Sequence, residues 1–260
     1  RADMALYMDS ARMLDALVGT VLDAVDAHGL RDSTLVVCTT DHGIAFPRMK
    51  CNLTDHGMGV MLILRGPGGF TGGQVVDGLT SHIDLFPTVC DVAGLAAPQW
   101  LQGVSLRPLV GGADSVRDAV YGEINYHVCY EPQRALRTDR WKYIRRLHER
   151  ACPVLPDCDD GQSKSYLMEH GWSEREEAEE RLYDVLFDPD EAHNVAMDTA
   201  YADVLKDMRQ QMQTWREETG DPLLSEPIFV PPATAQIADP GERSPHSAPA
   251  HSARIFLGVD

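Results

Sequence analysis

Residues 33–50 read STLVVCTTDHGIAFPRMK, a run of β-forming residues followed at once by Asp41, His42 and Gly43. The continuous β-branched run is typical of a parallel strand that is buried on both faces. Before it, apolar residues spaced three and four apart over residues 4–25 predict an amphipathic helix that ends at Gly29. A helix followed by a buried strand predicts an α/β sheet. The chemistry of such sheets lies at the carboxyl ends of the strands, where Asp41 stands.

The remaining sequence contains two kinds of pattern. GVMLILRGPG at residues 59–68 predicts a second strand, and SHIDLFPTVCDVAGL at residues 81–95 predicts a helix whose start is capped by Ser81 and Asp84. From residue 113, short strands alternate with polar loops before an amphipathic helix at about 201–219, which predicts an antiparallel α+β subdomain. We therefore expect a catalytic α/β domain over residues 1–112, the subdomain over 113–225 and an extended or mobile Pro/Ala/Ser-rich tail over 226–260.

Composition excludes several classes of partner. The 260 residues carry a formal charge of −17 and contain no apolar run of bilayer length, so neither nucleic acid nor a membrane is expected as a partner. Because the first residue is Arg1, a targeting signal is not readable, and cytoplasmic, periplasmic and secreted locations stay open. The sequence also leaves the oligomeric state open, a homo-oligomer included.

Three local sequence patterns have more than one interpretation or a simple structural one. Seven arginines and lysines lie between Arg134 and Arg150, either to meet an anionic substrate or, as we favour, to pair with acidic neighbours. Cys152 and Cys158 flank a proline-containing loop that a disulfide could close, and this alternative stays open. The charged run SEREEAEER, residues 173–181, is most simply a solvated helix face.

Asp41 and His42 are the first candidate site residues. Adjacent carboxylate and imidazole groups at a strand end can both reach one metal ion, and Gly43 permits the tight turn that this needs. A second Asp-His-Gly occurs at residues 55–57, so the triplet alone is a weak signal. Lys50, nine positions after Asp41, can present a point charge to an oxyanion.

The order of these landmarks over residues 4–223 resembles the C-terminal half of a type I sulfatase of the alkaline-phosphatase superfamily. DHGIAFPRMKCNL and YGEINYHVCYEPQRALRT look most like the heparan N-sulfatase (N-sulfoglucosamine sulfohydrolase) branch. The resemblance implies part of an alkaline-phosphatase-like α/β sandwich. It also implies hydrolysis of a sulfate ester or a sulfamate, with a small anionic sulfated carbohydrate such as N-sulfoglucosamine as substrate.

The resemblance also implies residue roles. Asp41 and His42 fall where the family places two ligands of its divalent cation. Calcium is expected first, although the imidazole also suits manganese or zinc. Lys50 falls where a basic residue holds the sulfate group, which makes it both the catalytic candidate and a substrate-binding one. Further substrate-binding candidates are His56, Glu123, His127 and Arg134.

The family's nucleophile is a formylglycine made from the cysteine of a Cys-x-Pro-x-Arg motif, and none of the six cysteines stands in such a motif. We therefore expect the formylglycine upstream of Arg1 and no turnover by this chain alone. Two rival functions stay open. One is a phosphomonoester, phosphodiester or phosphonate hydrolase of the same superfamily, and the other is a non-catalytic binding module.

Overall fold

The computed structural model describes residues 1–244 and 251–258. The chain forms two compact units: unit 1 comprises residues 1–41 and 60–120, and unit 2 comprises residues 42–59 and 121–260. The helices and strands, in chain order, are α1 Ala2–Ala27, β1 Val36–Thr39, α2 Asp55–Met58, β2 Leu62–Arg65, α3 Leu85–Val92, α4 Arg107–Val110, β3 Val120–Tyr126, β4 Tyr130–Arg137, β5 Trp141–Arg146, α5 Gln162–Glu169, β6 Glu180–Asp184, α6 Ala202–Glu218, β7 Gln236–Ile237, β8 His251–Ser252 and α7 Ala253–Leu257. Within the described ranges, no helix combines the length and apolar character that a membrane span requires.

Helix α1 confirms the predicted helix of unit 1 and its glycine stop. It ends at Ala27, and Gly29 follows with a φ of +67° that favours glycine. All of its residues keep at least part of their surface exposed. The apolar stripe that the sequence predicts includes Leu14 and Leu17, which are 54% and 65% exposed. The three-and-four spacing therefore predicted the helix correctly, but its apolar face is open in this chain.

Strands β1 and β2 correct the prediction of a parallel, fully buried strand. They pair with each other antiparallel, with Val36 opposite Arg65 and Thr39 opposite Leu62. Residues of β1 alternate between half-buried and exposed, as expected for a strand with one covered face. The β-branched residues fixed the strand, but the direction of its neighbour is a property of the tertiary structure.

Unit 1 has a small apolar core that is centred on Phe70, Leu106 and Leu109. Beside it the fully buried carboxylate of Asp84 accepts hydrogen bonds from the backbone N–H of Ser81 at 2.8 Å and of Val104 at 2.9 Å. Arg117 adds an ion pair through its Nε at 3.0 Å. The predicted capping role of Ser81 and Asp84 is confirmed, because the two residues form a capping box.

Unit 2 is built on a four-stranded sheet with the order β3–β4–β5–β6. Strand β5 pairs antiparallel with both β4 and β6, and the fully buried Ala135 and Ile144 face each other in this register. Helix α6 buries Met208 and Met212 as the sequence predicts. The predicted short antiparallel strands and the late helix are confirmed. The prediction of a helix at residues 173–181 is wrong. A 3-10 turn at Trp172–Glu174 leads into irregular structure instead. The physical reason is that this charged run has no apolar face to bury.

The contacts of the basic residues between Arg134 and Arg150 confirm the favoured interpretation, in which these residues pair with acidic neighbours. Arg137 and Lys142 both contact Asp55, each at 2.9 Å, while Arg140 pairs with Asp184 at 2.7 Å. Lys142 is fully buried, and burial lowers its pKa. These cations are therefore bound within unit 2 and hold its sheet and loops together.

Part of the predicted tail is packed. Strand β7 pairs with β8, and the side chain of Ile237 is buried. Ala238 N–H donates to the carbonyl of Val128 at 2.7 Å. Residues 245–250 and 259–260, also predicted to belong to the tail, lie outside the described residues.

All six cysteines lie in the described ranges and are free thiols. The disulfide between Cys152 and Cys158, left open by the sequence, is therefore not formed. Cys158 is buried beside Leu155 and Trp172, whereas Cys152 is half-buried. Packing accounts for Cys158 without a covalent bond.

Candidate anion-binding site

Two of the predicted site residues, His42 and Lys50, lie on the loop of residues 42–54, hereafter the 42–54 loop, in unit 2. Gly43 N–H donates to the carbonyl of Gly57 at 2.9 Å. A Cβ added at Gly43 would lie 1.8 Å from the carbonyl oxygen of His56, so only glycine fits there. The glycine of the first Asp-His-Gly is thus required by a close backbone approach, as the sequence predicts for a tight turn.

Asp55 anchors the end of this loop to the sheet. Its carboxylate accepts from Arg137 on β4 and Lys142 on β5, and its backbone N–H donates to Glu191 Oε1 at 2.5 Å. Burial raises the pKa of Asp55, but Lys142 and Arg137 outweigh burial and hold the pKa below its ordinary value. The second Asp-His-Gly is therefore a structural anchor.

Lys50 lies on the same loop and is held by an acid from a distant part of the chain. Its Nζ donates to Asp159 Oδ2 at 3.1 Å, and the two side chains are 18% and 48% exposed. A pair that is this exposed is weak, because water competes for both groups. Lys50 is thus oriented by Asp159 while its charge stays exchangeable.

His127 supplies a second cation, held by Asp157 as Lys50 is held by Asp159. Its Nδ1 lies 3.5 Å from Asp157 Oδ1. Interaction with Asp157, and then with the Cys51 side chain, raises the pKa of His127 from 6.5 to about 10. At neutral pH the imidazole is therefore protonated.

A crevice next to the 42–54 loop is lined by both basic and acidic side chains. Arg48, Lys50 and Cys51 meet Glu131 and Asp157 there. Burial, followed by the negative charges of Asp157 and Glu177, raises the pKa of Glu131 to about 8. Cations on flexible side chains are thus arranged beside carboxylates, which is a setting suited to an oxyanion that replaces one carboxylate as partner.

A wider cleft of about 590 Å³ opens next to the loop within unit 2. Arg48, His56, Arg175 and Arg181 line it together with Glu176, Glu177, Asp190 and Glu191. His56 Nε2 lies 3.6 Å from Asp190 Oδ1. The structure thus places His56 in a cleft wall that carries both charge signs, which is typical of a polar ligand surface.

The two predicted metal ligands are adjacent in sequence, and Asp41 belongs to unit 1 whereas His42 belongs to unit 2. Asp41 is exposed two residues after the end of β1, and His42 is half-buried with Nδ1 2.6 Å from the carbonyl oxygen of Gly43. A ring whose Nδ1 is held by a carbonyl has Nε2 as its metal-binding nitrogen. Over residues 1–244 and 251–258, no group of three or more His, Cys, Asp or Glu side chains could hold a metal ion. Asp41 and His42 therefore provide two donors of the right chemistry, and their metal role stays a prediction.

Arg134, a predicted substrate-binding residue, is buried and bonded to groups of unit 2. It is 1% exposed, and its Nε and Nη2 donate to the two oxygens of Asp221 at 2.9 and 2.8 Å. A further nitrogen donates to Ile124 O and Asn125 Oδ1. Because its donors are used inside unit 2, we leave Arg134 out of the candidate site. Glu123 is 56% exposed with its Oε2 3.6 Å from Arg134 Nε, and its substrate role stays a prediction.

Sequence reasoning missed Asp157 and Asp159, the acids that position His127 and Lys50. Both belong to the motif CPVLPDCDD at residues 152–160, where the cysteines and prolines drew attention to a disulfide loop. The sequence signal that could have identified them is this group of acidic residues, since acids can be expected to pair with basic residues elsewhere in the chain. The pairing of Asp159 with Lys50, 109 residues apart in sequence, is decided by the tertiary structure.

Comparisons with known proteins identify relatives of this chain. Residues 1–95 match the Sulfatase family model. An ulvan-active sulfatase of Formosa agariphila is 31% identical over 218 residues, covering 81% of this chain and 43% of that protein. N-sulphoglucosamine sulphohydrolase of Homo sapiens is 28% identical over 255 residues, covering 88% and 51%. The solved structure of a 2-O GAG sulfatase superposes with a TM-score of 0.66 at 27% identity, covering 85% of this chain and 44% of that one.

The fold and these matches define an α/β domain of the alkaline-phosphatase type. The chain belongs to the sulfatase family. It spans about half the length of the curated relatives it matches.

Proposed function

We propose that this chain carries the sulfate-holding part of the active site of a sulfatase that hydrolyses a sulfate ester or a sulfamate on a sulfated sugar. The proposal is supported by relatives named for action on ulvan, on N-sulphoglucosamine and on a GAG 2-O position. N-sulfoglucosamine is the specific substrate that we propose, on the strength of the match to N-sulphoglucosamine sulphohydrolase over 88% of this chain.

Lys50 is the residue on which the proposal depends. A sulfuryl group carries its negative charge on oxygens, and a positioned ammonium offsets the charge that these oxygens bear in the transition state. Asp159 holds Lys50 in place before substrate binds, and sulfate then competes with Asp159 for the ammonium. The observation that carries the proposal is this partly exposed pair, in which the Lys50 and Asp159 side chains are 18% and 48% exposed.

We propose that the sugar is recognised by His127, His56 and Glu123. The His127 imidazolium is half-exposed, so it can donate to a second anionic group of the substrate. His56 lies in the wall of the adjacent cleft, and the exposed Glu123 can accept from sugar hydroxyls. These groups would select a charged sugar, whereas Lys50 holds the transferring group.

Asp41 and His42 are proposed as two ligands of a divalent cation, with calcium preferred and manganese or zinc as alternatives. When bound, this cation would polarise the sulfuryl oxygens and stabilise the nucleophile. The residues supply an exposed carboxylate and an imidazole whose Nδ1 faces a carbonyl oxygen. The nucleophile that the proposal requires is a formylglycine, and none of the six cysteines of this chain stands in the motif that yields one.

The test is the activity of the complete gene product on N-sulfoglucosamine, an aryl sulfate, an aryl phosphate and an aryl phosphonate ester. Release of sulfate from N-sulfoglucosamine is the expected result, together with a divalent cation found by metal analysis. Turnover of only the phosphate or phosphonate would replace the sulfatase proposal with the phosphohydrolase alternative. Absence of both turnover and metal would support a non-catalytic binding module.

A further inference from the structure

Arg48 is an exposed cation for which the proposed sulfatase chemistry gives no role. Its side chain lines both the crevice that contains Lys50 and the wider cleft of about 590 Å³. Over residues 1–244 and 251–258, the side chain of Arg48 makes neither a hydrogen bond nor an ion pair, whereas Lys50 is paired with Asp159. We propose that Arg48 binds an anionic group, a carboxylate or a second sulfate, on the sugar unit that adjoins the one whose sulfate Lys50 holds. The inference rests on the sulfatase activity proposed above and adds that the substrate is a saccharide of at least two units, with an acidic second unit.

The backbone at Arg48 adopts a conformation that normally belongs to glycine. A turn closes here, with Met49 N–H donating to the carbonyl of Phe46 at 3.0 Å. Pro47 and Arg48 occupy its two central positions. Proline is common at the first of these positions, and the φ of +66° at Arg48 favours glycine or asparagine at the second. An arginine that is kept at this position in spite of the strain points to a use for its side chain.

The same backbone conformation recurs around the two cavities. Among the described residues, the non-glycine residues with positive φ are Arg48, Cys51 and Glu191, and each of them lines the crevice or the cleft. Such residues are uncommon, and they cluster at ligand sites, where the surrounding structure offsets their strain. This strain is thus concentrated in the region where we place the saccharide.

The other groups of the cleft suit a hydroxylated ligand that carries a negative charge. The cleft volume lies within the range of about 300–1,000 Å³ that is usual for small-molecule sites. Two acids of the wall already have partners. Asp190 Oδ1 lies 3.6 Å from His56 Nε2, and Glu191 Oε1 accepts from the backbone N–H of Asp55. The exposed carboxylate of Glu176 can accept from sugar hydroxyls, while a guanidinium binds a carboxylate or a sulfate through two parallel N–H donors.

The crevice and the cleft share part of their walls. Arg48, Asn52 and Glu177 line both of them. Lys50 follows Arg48 by two residues on the 42–54 loop, so one ligand can contact both cations. Lys50 therefore holds the transferring group, and Arg48 is a specificity-determining residue that recognises the adjoining unit.

The test compares kcat/KM of the complete gene product for three disaccharides that share a terminal N-sulfoglucosamine. The adjoining unit is glucuronate in the first, glucose 6-sulfate in the second and glucose in the third. The unaltered protein should prefer at least one acidic disaccharide over the neutral one by about tenfold, which corresponds to one charge-assisted hydrogen bond. The acidic disaccharide with the larger kcat/KM identifies whether Arg48 binds the carboxylate or the sulfate.

Arg48→Gln should lower this preference to about one, and Arg48→Lys, which keeps the charge, should retain part of it. Arg145→Gln is the matched control and should retain the full preference, because Arg145 is an arginine of unit 2 with a side chain 41% exposed that lines neither cavity. Arg48→Gly should also abolish the preference. Its urea midpoint should be no lower than that of the unaltered protein, since glycine adopts a positive φ without strain.

The outcomes separate this inference from the proposed function. Release of sulfate from all three disaccharides with equal kcat/KM, or a preference that persists in Arg48→Gln and Arg48→Gly, overturns the role of Arg48 and leaves the sulfatase proposal intact. If no sulfate is released, the sulfatase proposal fails, and calorimetric titration of the same disaccharides tests Arg48. In that case, binding of an acidic disaccharide that is about tenfold weaker in Arg48→Gln supports the anion contact, and an unchanged affinity overturns it.

Discussion

Two cation–carboxylate pairs of unit 2 differ mainly in burial. In the sheet, Arg134 and Asp221 have side chains that are 1% and 2% exposed, whereas Lys50 and Asp159 on the loop side are 18% and 48% exposed. The buried pair has no water to take over either charge, so its groups are committed to each other. The loop pair can exchange its carboxylate for a substrate anion. Burial therefore separates the cations that support the fold from the cation available for chemistry.

The buried pair and the loop side also differ in the pKa values of their titratable groups. Burial raises the pKa of Asp221, but hydrogen bonds from Arg134 and Arg216 outweigh it and bring the pKa to about 2. His127 is half-exposed, and its pKa is raised to about 10 by Asp157 and Cys51. Asp221 therefore stays charged over the working range of most proteins, whereas the proton on His127 can be removed at moderately alkaline pH.

The largest expected effect is on the buried pair. Replacement Asp221→Ala leaves Arg134 and Arg216 buried without their shared carboxylate and should lower the free energy of unfolding by about 3–5 kcal/mol. Urea unfolding followed by circular dichroism measures it. Asp159→Ala is the matched control, with an expected cost of about 0–1 kcal/mol. Equal costs for the two replacements would contradict the role that we assign to burial.

The second effect is on activity. In the complete gene product, Lys50→Ala should lower kcat/KM for the sulfated substrate about a hundredfold, because one charge contact to the transition state is worth about 3 kcal/mol. The free energy of unfolding should change by no more than about 1 kcal/mol, since the Lys50–Asp159 pair is partly exposed. Lys50→Arg, which keeps the charge, should recover part of the rate. Near-unchanged turnover by Lys50→Ala would remove Lys50 from the mechanism.

The third effect is a pH dependence of stability. His127 has a pKa of about 10 in the folded chain against 6.5 when unfolded, so its stabilisation is complete below pH 6.5 and is lost as the pH rises towards 10. Glu131, with a folded pKa of about 8, adds a fall between about pH 4.5 and 8. Urea titrations between pH 8 and 10 lie above the Glu131 range, but burial also raises the pKa of the Cys129 and Cys158 thiols, so the His127 effect is taken from the difference between the unaltered chain and His127→Gln.

In that window the difference in unfolding free energy between the unaltered chain and His127→Gln should shrink with rising pH. His193→Gln provides the comparison, because the His193 ring also lies 3.5 Å from an aspartate, Asp188, but its side chain is 84% exposed. A difference that stays constant from pH 8 to 10 would mean that His127 is already neutral in the folded chain.

The smallest effect is expected on helix α1 of unit 1. Arg12 pairs with Asp9 at 2.6 Å, with both side chains about two-thirds exposed at 68% and 66%. Arg12→Gln, which keeps a good helix former, should change the free energy of unfolding by less than about 0.5 kcal/mol. A cost above about 1 kcal/mol, measured by urea unfolding, would show that exposure does not control the strength of such pairs here.

Sequence patterns predicted the secondary structure well where a segment has a clear period. The three-and-four spacing of Leu14 and Leu17 predicted α1, and the short strands predicted after residue 113 include β5, which carries Ile144. The patterns failed where the outcome depends on a neighbour. The direction of the partner of β1 and the absence of a helix at residues 173–181 both depend on what packs against these segments.

The sequence by itself determined the family, the strand that ends before Asp41 and the candidate residues His42, Lys50 and His127, because these follow from local spacing and motif order. Only the tertiary structure decided which cations are committed: it buried Arg134 against Asp221, joined Lys50 to Asp159 and placed Asp157 and Cys51 beside His127. The physical reason is that the strength and availability of a charge depend on its distance to partners and on its exposure to water, and folding sets both quantities between residues far apart in the chain.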